Sequence, residues 1–472
     1  MRHSLVHRAN RSTLRKLLAA GMLVLGPALS VVGNDDVVAG RQPANAFESE
    51  SAEGLLAQNQ PTQPGATRAP TAPPAFPNTT PRTPRPNTNS APNVNQLAQA
   101  PQPQAQANRF SLSSMPYMIG DAFGGGTQSL QVTNTVFTLV AGPVTTVNQF
   151  TIPSGTSGGV VGQTKLVEGF SPIPQDRVYF NYSYFNQVPL SATGVNVNRF
   201  TPGFEKTFWD RQASVEFRTP MASTLDSTIS GNGATLVNHP EFGDLFTSVK
   251  FLLLADEQTA FTGGMSLTAP TANDILFTNA PGSTIQELRI HNDAVHLQPF
   301  LAMRTTPTER TFFQGLFQVD VPTSGNRVTG QFIGQGPQNI GTLTNQTYCN
   351  VSVSTGFWLY QARHDRLVTG VAPLVEAHYS QTLSGANNLT FRDGPPPLAG
   401  TSTTVSLGNR NYQFQLVNLT VGANVQLGPA TTMLMGYSTP LGGGTDRQFN
   451  GEFRLMLNRR FGPQSNLARV PF

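Results

Sequence analysis

Residues Asp176–Pro220 read DRVYFNYSYFNQVPLSATGVNVNRFTPGFEKTFWDRQASVEFRTP, and this stretch decides the fold class. Aromatic and polar residues alternate through short segments, and no helical period is present. Successive side chains of a strand leave opposite faces. In Gln212–Thr219, Ala213, Val215 and Phe217 therefore share one face, while Gln212, Ser214, Glu216 and Arg218 share the other. An apolar face backed by a charged one is what a barrel wall needs when it meets lipid outside and water inside.

The same pattern continues from Phe110 onward, with alternating runs of about eight to twelve residues separated by Gly, Pro, Asn or Asp clusters. Candidate strands are Ser129–Leu139, Arg177–Gln187, Arg199–Trp209, Gln212–Thr219, Leu245–Ala255, Ala260–Thr268, Thr284–His291, Val295–Arg304, Glu309–Val321, Tyr348–Tyr360, Val368–Tyr379, Asn411–Val425, Thr431–Tyr437 and Glu452–Phe461. With one or two weaker runs they predict about 12–16 strands, each near the ~9–11 residues that cross a tilted wall. In Glu309–Val321, Phe313, Phe317 and Val319 oppose Gln314, Gln318 and Asp320, although Phe312 and Leu316 interrupt the polar face. In Tyr348–Tyr360, Val351, Val353, Phe357 and Leu359 oppose Asn350, Ser352 and Ser354.

Any sheet with one wet face alternates in this way, so a soluble β-sandwich or propeller has the same periodicity. Three features favour closure in a membrane. Aromatics recur near strand ends, as at Phe208 with Trp209 and Trp358 with Tyr360, where interfacial girdles lie. Closure also removes the edges that so many strands would expose. The last candidate strand, GEFRLMLNRRF, puts Phe453, Leu455, Leu457 and Phe461 on one face and ends in an aromatic. It is similar to the C-terminal assembly signal of bacterial outer-membrane barrels, departing from it at Arg459 on the apolar face and in the tail 462–472.

Composition agrees. Charged residues make up only 12% of the chain and mean hydropathy is −0.21, so neither a Lys- and Glu-rich soluble surface nor a helical membrane protein is indicated. The formal charge of +4 is a property of the N-terminus: Arg2, Arg8, Arg11, Arg15 and Lys16 are five of the 30 basic residues, leaving 25 against 26 acidic ones. Attraction to nucleic acid is therefore not expected. Residues 1–32 combine this basic start with the apolar run LLAAGMLVLGPALSVV and small residues at Ala28 and Ser30, the pattern of a secretory signal peptide. Residues 33–108 are expected to be a linker: from about Gly40 to Asn108 they are rich in Pro, Gln, Ala, Asn and Thr and cannot build a core, which predicts a disordered, partly polyproline-II segment roughly 200 Å long at ~3.1 Å per residue. The barrel is expected over 109–461. Cys349 is the single cysteine, which excludes an internal disulfide scaffold.

The run DRVYFNYSYFN with NRFTPGFEKTFWDRQASVEFRTP resembles a motif of uncharacterised outer-membrane β-barrel proteins of planctomycete-type bacteria. The resemblance covers about a tenth of the chain, and the matching positions are Asp176, Phe180, Tyr182, Phe185, Arg199, Phe200, Gly203, Glu205, Lys206, Thr207, Phe208, Ser214, Val215, Glu216 and Arg218. The resemblance implies a barrel at the cell envelope and supplies neither substrate nor catalytic residues.

Within the barrel region, Arg177, Glu216, Arg218, Lys250, Glu287, Arg289, Asp320, Glu452, Arg454 and Arg460 fall on inward faces by parity. They could form a charged constriction that sorts solutes, or a lattice of ion pairs that braces the wall. Glu205 and Lys206 are adjacent and so point to opposite faces. One of them would face lipid unless it lies at the interface, enters a bulge or snorkels, and Pro202-Gly203 just before them suits a bulge or kink. Histidines are scattered, and neither HExxH nor GxSxG occurs; GGGTQ at Gly124–Gln128 and the triple glycine at Gly442–Gly444 lack the Lys of a phosphate loop. No enzyme activity, cofactor or metal is expected.

The sequence thus predicts an all-β, transmembrane antiparallel β-barrel in the cell outer membrane, passing or taking up small polar solutes through a polar lumen. Its expected partners are the lipid bilayer, the barrel-assembly machinery and, through the linker, the cell wall. A structural or adhesive barrel with a closed lumen and long outer loops, such as Met221–Phe242 and Leu383–Asn409, is the alternative. A secreted carbohydrate-binding β-module is a third reading.

Overall fold

The computed structural model describes residues 115–462 apart from 123–126, 139–141, 154–156, 191–193, 224–225, 232–239, 363–365, 393–400, 410–412 and 444–445. The expected signal peptide, the linker and the tail beyond Gly462 lie outside the described residues. A hairpin of β1 (Thr127–Thr138) and β2 (Gly142–Pro153) comes first, followed by a 3-10 turn at Gly159–Val161. Three strands follow: β3 (Arg177–Val188), β4 (Val195–Phe208) and β5 (Ala213–Arg218). Short strands β6 (Met221–Ser223), β7 (Thr228–Ser230) and β8 (Pro240–Phe242) separate them from β9 (Leu245–Ala255) and β10 (Thr259–Ala269). Then β11 (Ile275–Thr278) and β12 (Ile285–Ile290) lead to β13 (His296–Thr305) and β14 (Thr311–Pro322). Next, β15 (Asn326–Phe332) and β16 (Gln338–Leu343) precede β17 (Tyr348–Phe357), β18 (Tyr360–Gln361) and β19 (Val368–Thr382). Finally β20 (Asn388–Arg392) and β21 (Thr401–Asn409) lead to β22 (Gln415–Leu427), β23 (Thr431–Pro440) and β24 (Gly451–Arg460).

Twelve of these strands close into one antiparallel barrel in the order β3-β24-β23-β22-β19-β17-β14-β13-β10-β9-β5-β4, with β4 returning to β3. Every candidate strand from the sequence became wall except Ser129–Leu139 and Thr284–His291. Alternation explains the success. Along β14, Phe313, Phe317 and Val321 are exposed on the outside, whereas Phe312, Gln314, Leu316, Gln318 and Asp320 are buried inside. Phe180, Phe217, Phe251, Leu301, Val353, Val375, Val421 and Leu455 continue an exposed apolar exterior around the wall. Among the described residues the first wall strand begins at Arg177, so the part of the expected 109–461 barrel that precedes it supplies the β1–β2 hairpin and chain that is not wall.

At one end the wall strands are joined by short turns at 209–212, 256–258, 306–310 and 428–430. At the other end the long connections do not remain loops. They fold into a cap of two sheets, β2-β1-β21-β20 and β16-β15-β12-β11-β7, the second including one parallel pair between β11 and β7. Leu130, Val132, Ile152, Val405 and Leu407 of the first sheet meet Phe277, Leu288, Ile290, Val328 and Phe332 of the second in a single apolar core. Phe185, Val195, Val197 and Phe449 at the barrel rim extend that core into the wall. The segments Met221–Phe242 and Leu383–Asn409, expected as outer loops, contribute β7, β20 and β21 to this sandwich.

Two local expectations change. Trp358 does not join an interfacial girdle: it is buried against Leu374, Ala372 and Phe312, whereas Trp209 is exposed at the turn end and stacks on Phe251 at 6.2 Å. Pro202 and Gly203 form no bulge either. The β3–β4 register runs unbroken through Phe180↔Pro202, Tyr179↔Gly203 and Arg177↔Glu205, and shifts only between Phe185 and Val188. Gly203 is there for room. A Cβ at that position would lie 2.1 Å from Cζ of Tyr179, whose hydroxyl is held on Glu216 at 2.5 Å. The ring has no freedom to retreat, so Gly203→Ala is expected to destabilise the barrel by about 1–3 kcal/mol. Gly385→Ala, in open space, is expected to be neutral. Denaturant midpoints of the refolded protein in micelles measure both.

Candidate functional site

Residues 157–176, SGGVVGQTKLVEGFSPIPQD, do not alternate. Positive φ at Gly158, Gly162 and Gly169, together with Pro172 and Pro174, keeps them from pairing as a strand. The chain instead uses them to cross the barrel interior. Residues 115–122 run from the turn end, where Gln314 donates to the Pro116 carbonyl at 3.1 Å, to the cap end, where the Ala122 N–H donates to Glu452 at 3.3 Å. After the β1–β2 hairpin the chain re-enters beside Asp244, which accepts from the Ser157 hydroxyl at 3.0 Å and the Gly158 N–H at 2.7 Å. It then descends to Asp176. The two inner segments are antiparallel, joined by Met118 N–H to Phe170 O at 3.0 Å and Gly169 N–H to Ile119 O at 3.4 Å.

Wall side chains satisfy this unpaired backbone. On one side Glu376 accepts the N–H groups of Ile119 at 3.0 Å and Gly120 at 2.7 Å, and Arg454 donates to Ile119 O at 2.8 Å. On the other, Arg177 donates to Gly169 O at 2.8 Å, Arg218 to the carbonyls of Lys165 and Leu166 at 3.0 and 3.2 Å, and Lys250 to Ser171 O at 3.1 Å. These wall cations are paired in turn. Glu205 holds Arg177 at 2.6 Å and Lys250 at 2.7 Å; Glu216 holds Arg177 at 2.9 Å and Arg218 at 3.1 Å. The inner segments add their own charges, with Lys165 on Asp121 at 2.7 Å and Glu168 on wall Arg199 at 2.6 Å. All of these side chains are buried.

Apolar contacts complete the filling. Met118, Leu166, Val167 and Phe170 of the inner segments pack on wall Phe246, Phe300, Ala302 and Leu316. Met115, Tyr117, Ile119 and Ile173 pack with Phe312, Leu374, Leu434 and Met456. Ile119 lies over wall Gly422 and Gly436, where a Cβ would come within 2.4 and 2.8 Å of its Cδ1.

Of the residues expected to line the lumen, Arg177, Glu216, Arg218, Lys250, Asp320, Glu452 and Arg454 are inward and buried. Arg460 is at the turn-end rim, donating to Pro429 O at 2.7 Å. Glu287 and Arg289 are not in the lumen. They pair with each other at 2.9 Å on β12 of the cap, because the strand carrying them belongs to the sandwich rather than the wall. Glu205 turns out to be the centre of the lattice, while its neighbour Lys206 points outward near the turn end, 3.2 Å from Asp176 and over the Phe461 ring at 5.4 Å. A plain strand thus accommodates both, by placing Lys206 at the rim.

Sequence reasoning did not find Asp121, Lys165, Glu168, Glu376 and His378. The isolated Lys165 and Glu168 within a Gly- and Pro-rich stretch were the available signal. The nearest approach to a catalytic arrangement is Ser352 with His378 Nδ1 at 3.0 Å and Glu376 at 3.3 Å from His378 Nε2. It is buried beneath the inner segment, and Glu376 is already bonded to two N–H groups of that segment. No cluster among the described residues has the composition of a metal site.

No family model and no curated protein matches the chain. Among solved structures it is similar to an outer membrane channel from Pseudomonas putida F1 (12% identity, TM-score 0.39, covering 62% of this chain and 97% of that one). It is also similar to the β domain of the Bordetella autotransporter BrkA (11%, TM-score 0.38, 61% and 100%) and to the Pseudomonas putida toluene transporter TodX (10%, TM-score 0.31, 60% and 87%).

Removing one partner of a buried pair leaves the other charge uncompensated, at a cost of about 3–5 kcal/mol. Glu205→Ala takes from Lys250 its carboxylate and leaves Arg177 with Glu216 alone, and is expected to fall in that range. Asp293→Ala, which breaks an exposed pair with Arg327 at 2.8 Å, is expected to leave the unfolding midpoint nearly unchanged.

Proposed function

We propose that this protein is an outer-membrane β-barrel held closed at rest by its own two inner segments, carrying a β-sandwich on the face opposite its short turns. The exposed apolar exterior supports the membrane reading: contiguous apolar surface of this extent is hidden when it faces lipid, and a closed wall satisfies its backbone without water. A secreted carbohydrate-binding module would have no use for it. By the usual arrangement of such barrels, the short turns face the periplasm and the sandwich faces outward.

The observation that carries the closed state is the bonding of both lumen-crossing segments to the wall, with carboxylates on N–H groups and guanidinium and ammonium groups on carbonyls. This favours the bracing role of the lumen charges over a permanently open constriction. Passage of small polar solutes, the other reading, is favoured by the polar residues that alternate around the wall; it requires residues 115–122 and 157–176 to shift first.

In planar bilayers the unmodified protein is expected to give little steady conductance. The double variant Glu376→Ala, Glu452→Ala, which frees the N–H groups of Ile119, Gly120 and Ala122, is expected to show frequent openings. A large steady conductance from the unmodified protein would overturn the closed state, and recovery in the soluble fraction without detergent would overturn the membrane reading. On the exterior, Phe317→Arg is expected to cost about 2–4 kcal/mol of barrel stability near the bilayer midplane. Refolding yield into lipid vesicles reads this effect.

A further inference from the structure

Six buried bases in the lumen each have an acid: Lys165 with Asp121, Arg177 with Glu205, Arg199 with Glu168, Arg218 with Glu216, Lys250 with Glu205 and Arg454 with Glu452. Arg304 does not. It is fully buried on the lumen face of β13, next to the turn end, and among the described residues its Nε and both terminal nitrogens have no hydrogen-bond partner. The ionisable groups that act on it are the Tyr117 phenol and Arg460, and neither supplies negative charge. Its cross-strand neighbours are Ala260 and Gln314, and the Gln314 amide nitrogen is committed to Pro116 O.

A guanidinium does not shed its proton inside a protein, so burial leaves its charge to be balanced. The carboxylates deeper in the lumen are already engaged, by the bases named above or, for Asp320 and Glu376, by His296 and by the N–H groups of Ile119 and Gly120. The free fork of N–H donors matches two oxygens of one planar or tetrahedral oxyanion. Arg460 at the rim of the same end adds a second positive charge on the way in.

We propose that Arg304 is the core of a binding site for a small free oxyanion, of the phosphate, sulfate or carboxylate class, entered from the turn end of the barrel. A lipid headgroup is excluded as the source, because Arg304 faces the lumen and not the bilayer. The site lies beside Pro116 and Tyr117, where the first inner segment begins its crossing, so the bound anion fastens that segment to the wall. The proposal stands apart from whether the barrel conducts.

The test uses the full chain refolded in nonionic detergent, titrated with inorganic phosphate at constant ionic strength. Isothermal calorimetry should show one saturable site, displaced by sulfate, and the thermal midpoint should rise with the same half-saturation. Arg304→Gln should abolish the saturable part while leaving the anion-free midpoint equal to or above that of the parent, and Arg304→Lys should retain weaker binding. Absence of saturable binding to the parent protein overturns the proposal, as does an equal phosphate response in Arg304→Gln. If that variant fails to fold, calorimetry on the parent and on Arg304→Lys decides: equal affinity in the two, or no binding to the parent, overturns it.

Discussion

Residues 115–122 and 157–176 carry backbone N–H and C=O groups through the centre of a barrel without a sheet to pair them, and the rest of the structure depends on how those groups are satisfied. A buried peptide group left unbonded is costly. The wall answers with charged side chains because their bonds to backbone are the strong ones. Glu376 takes two successive N–H groups, while Arg177, Arg218, Lys250 and Arg454 reach five carbonyls. Each cation used this way needs a counter-charge, which Glu205, Glu216 and Glu452 provide. The ion-pair lattice is therefore secondary to the crossing chain: the wall is charged because the lumen is filled with backbone.

That ordering bears on how the lumen could open. The wall's bonds to the backbone of residues 165–171 come from β3, β5 and β9, and those to the backbone of residues 119–122 from β19 and β24. The two segments also bond to each other. Pulling either one out exposes paired charges on its own side and unpaired N–H and C=O groups on its partner. Opening, under the proposed function, would thus be a concerted event in which several buried charge pairs acquire water together, rather than a graded widening.

The wall was legible in the sequence because its period is strict. Leu245–Ala255 was placed to the residue, and Val215 with Phe217 against Glu216 with Arg218 gave the correct faces of β5. The cap was less legible: Thr284–His291 has the same alternation as a wall strand, since a sandwich core and a bilayer select the same pattern on one face. Glu287 and Arg289 were misplaced for that reason. Residues 157–176 had no periodic signal at all, because their conformation is set by partners far along the chain, such as Arg218, Asp244, Lys250 and Asp320, and not by local propensity. Pro202-Gly203 was misread as a bulge because sequence shows that Gly is small without showing that the Tyr179 ring fills the space it leaves.

Phe312 and Leu316 were the clearest trace of the filled lumen. An aqueous channel has no use for apolar side chains on its inner face, so their interruption of the polar side of β14 implies a dry partner inside the barrel. In the structure Leu316 packs in the same cluster as Leu166, Val167 and Phe170, and Phe312 in the cluster of Tyr117 and Ile119. Phe246 and Phe300 interrupt β9 and β13 in the same manner. Apolar residues at inward positions of several wall strands, combined with a Gly- and Pro-rich charged stretch before the first wall strand, together mark a barrel that contains its own chain. Neither feature does so alone: the apolar positions could signal a strand that belongs elsewhere, and the charged stretch could be a surface loop. The two meet in one volume only when the wall is closed, which is why the plug follows from the fold although no single segment announces it.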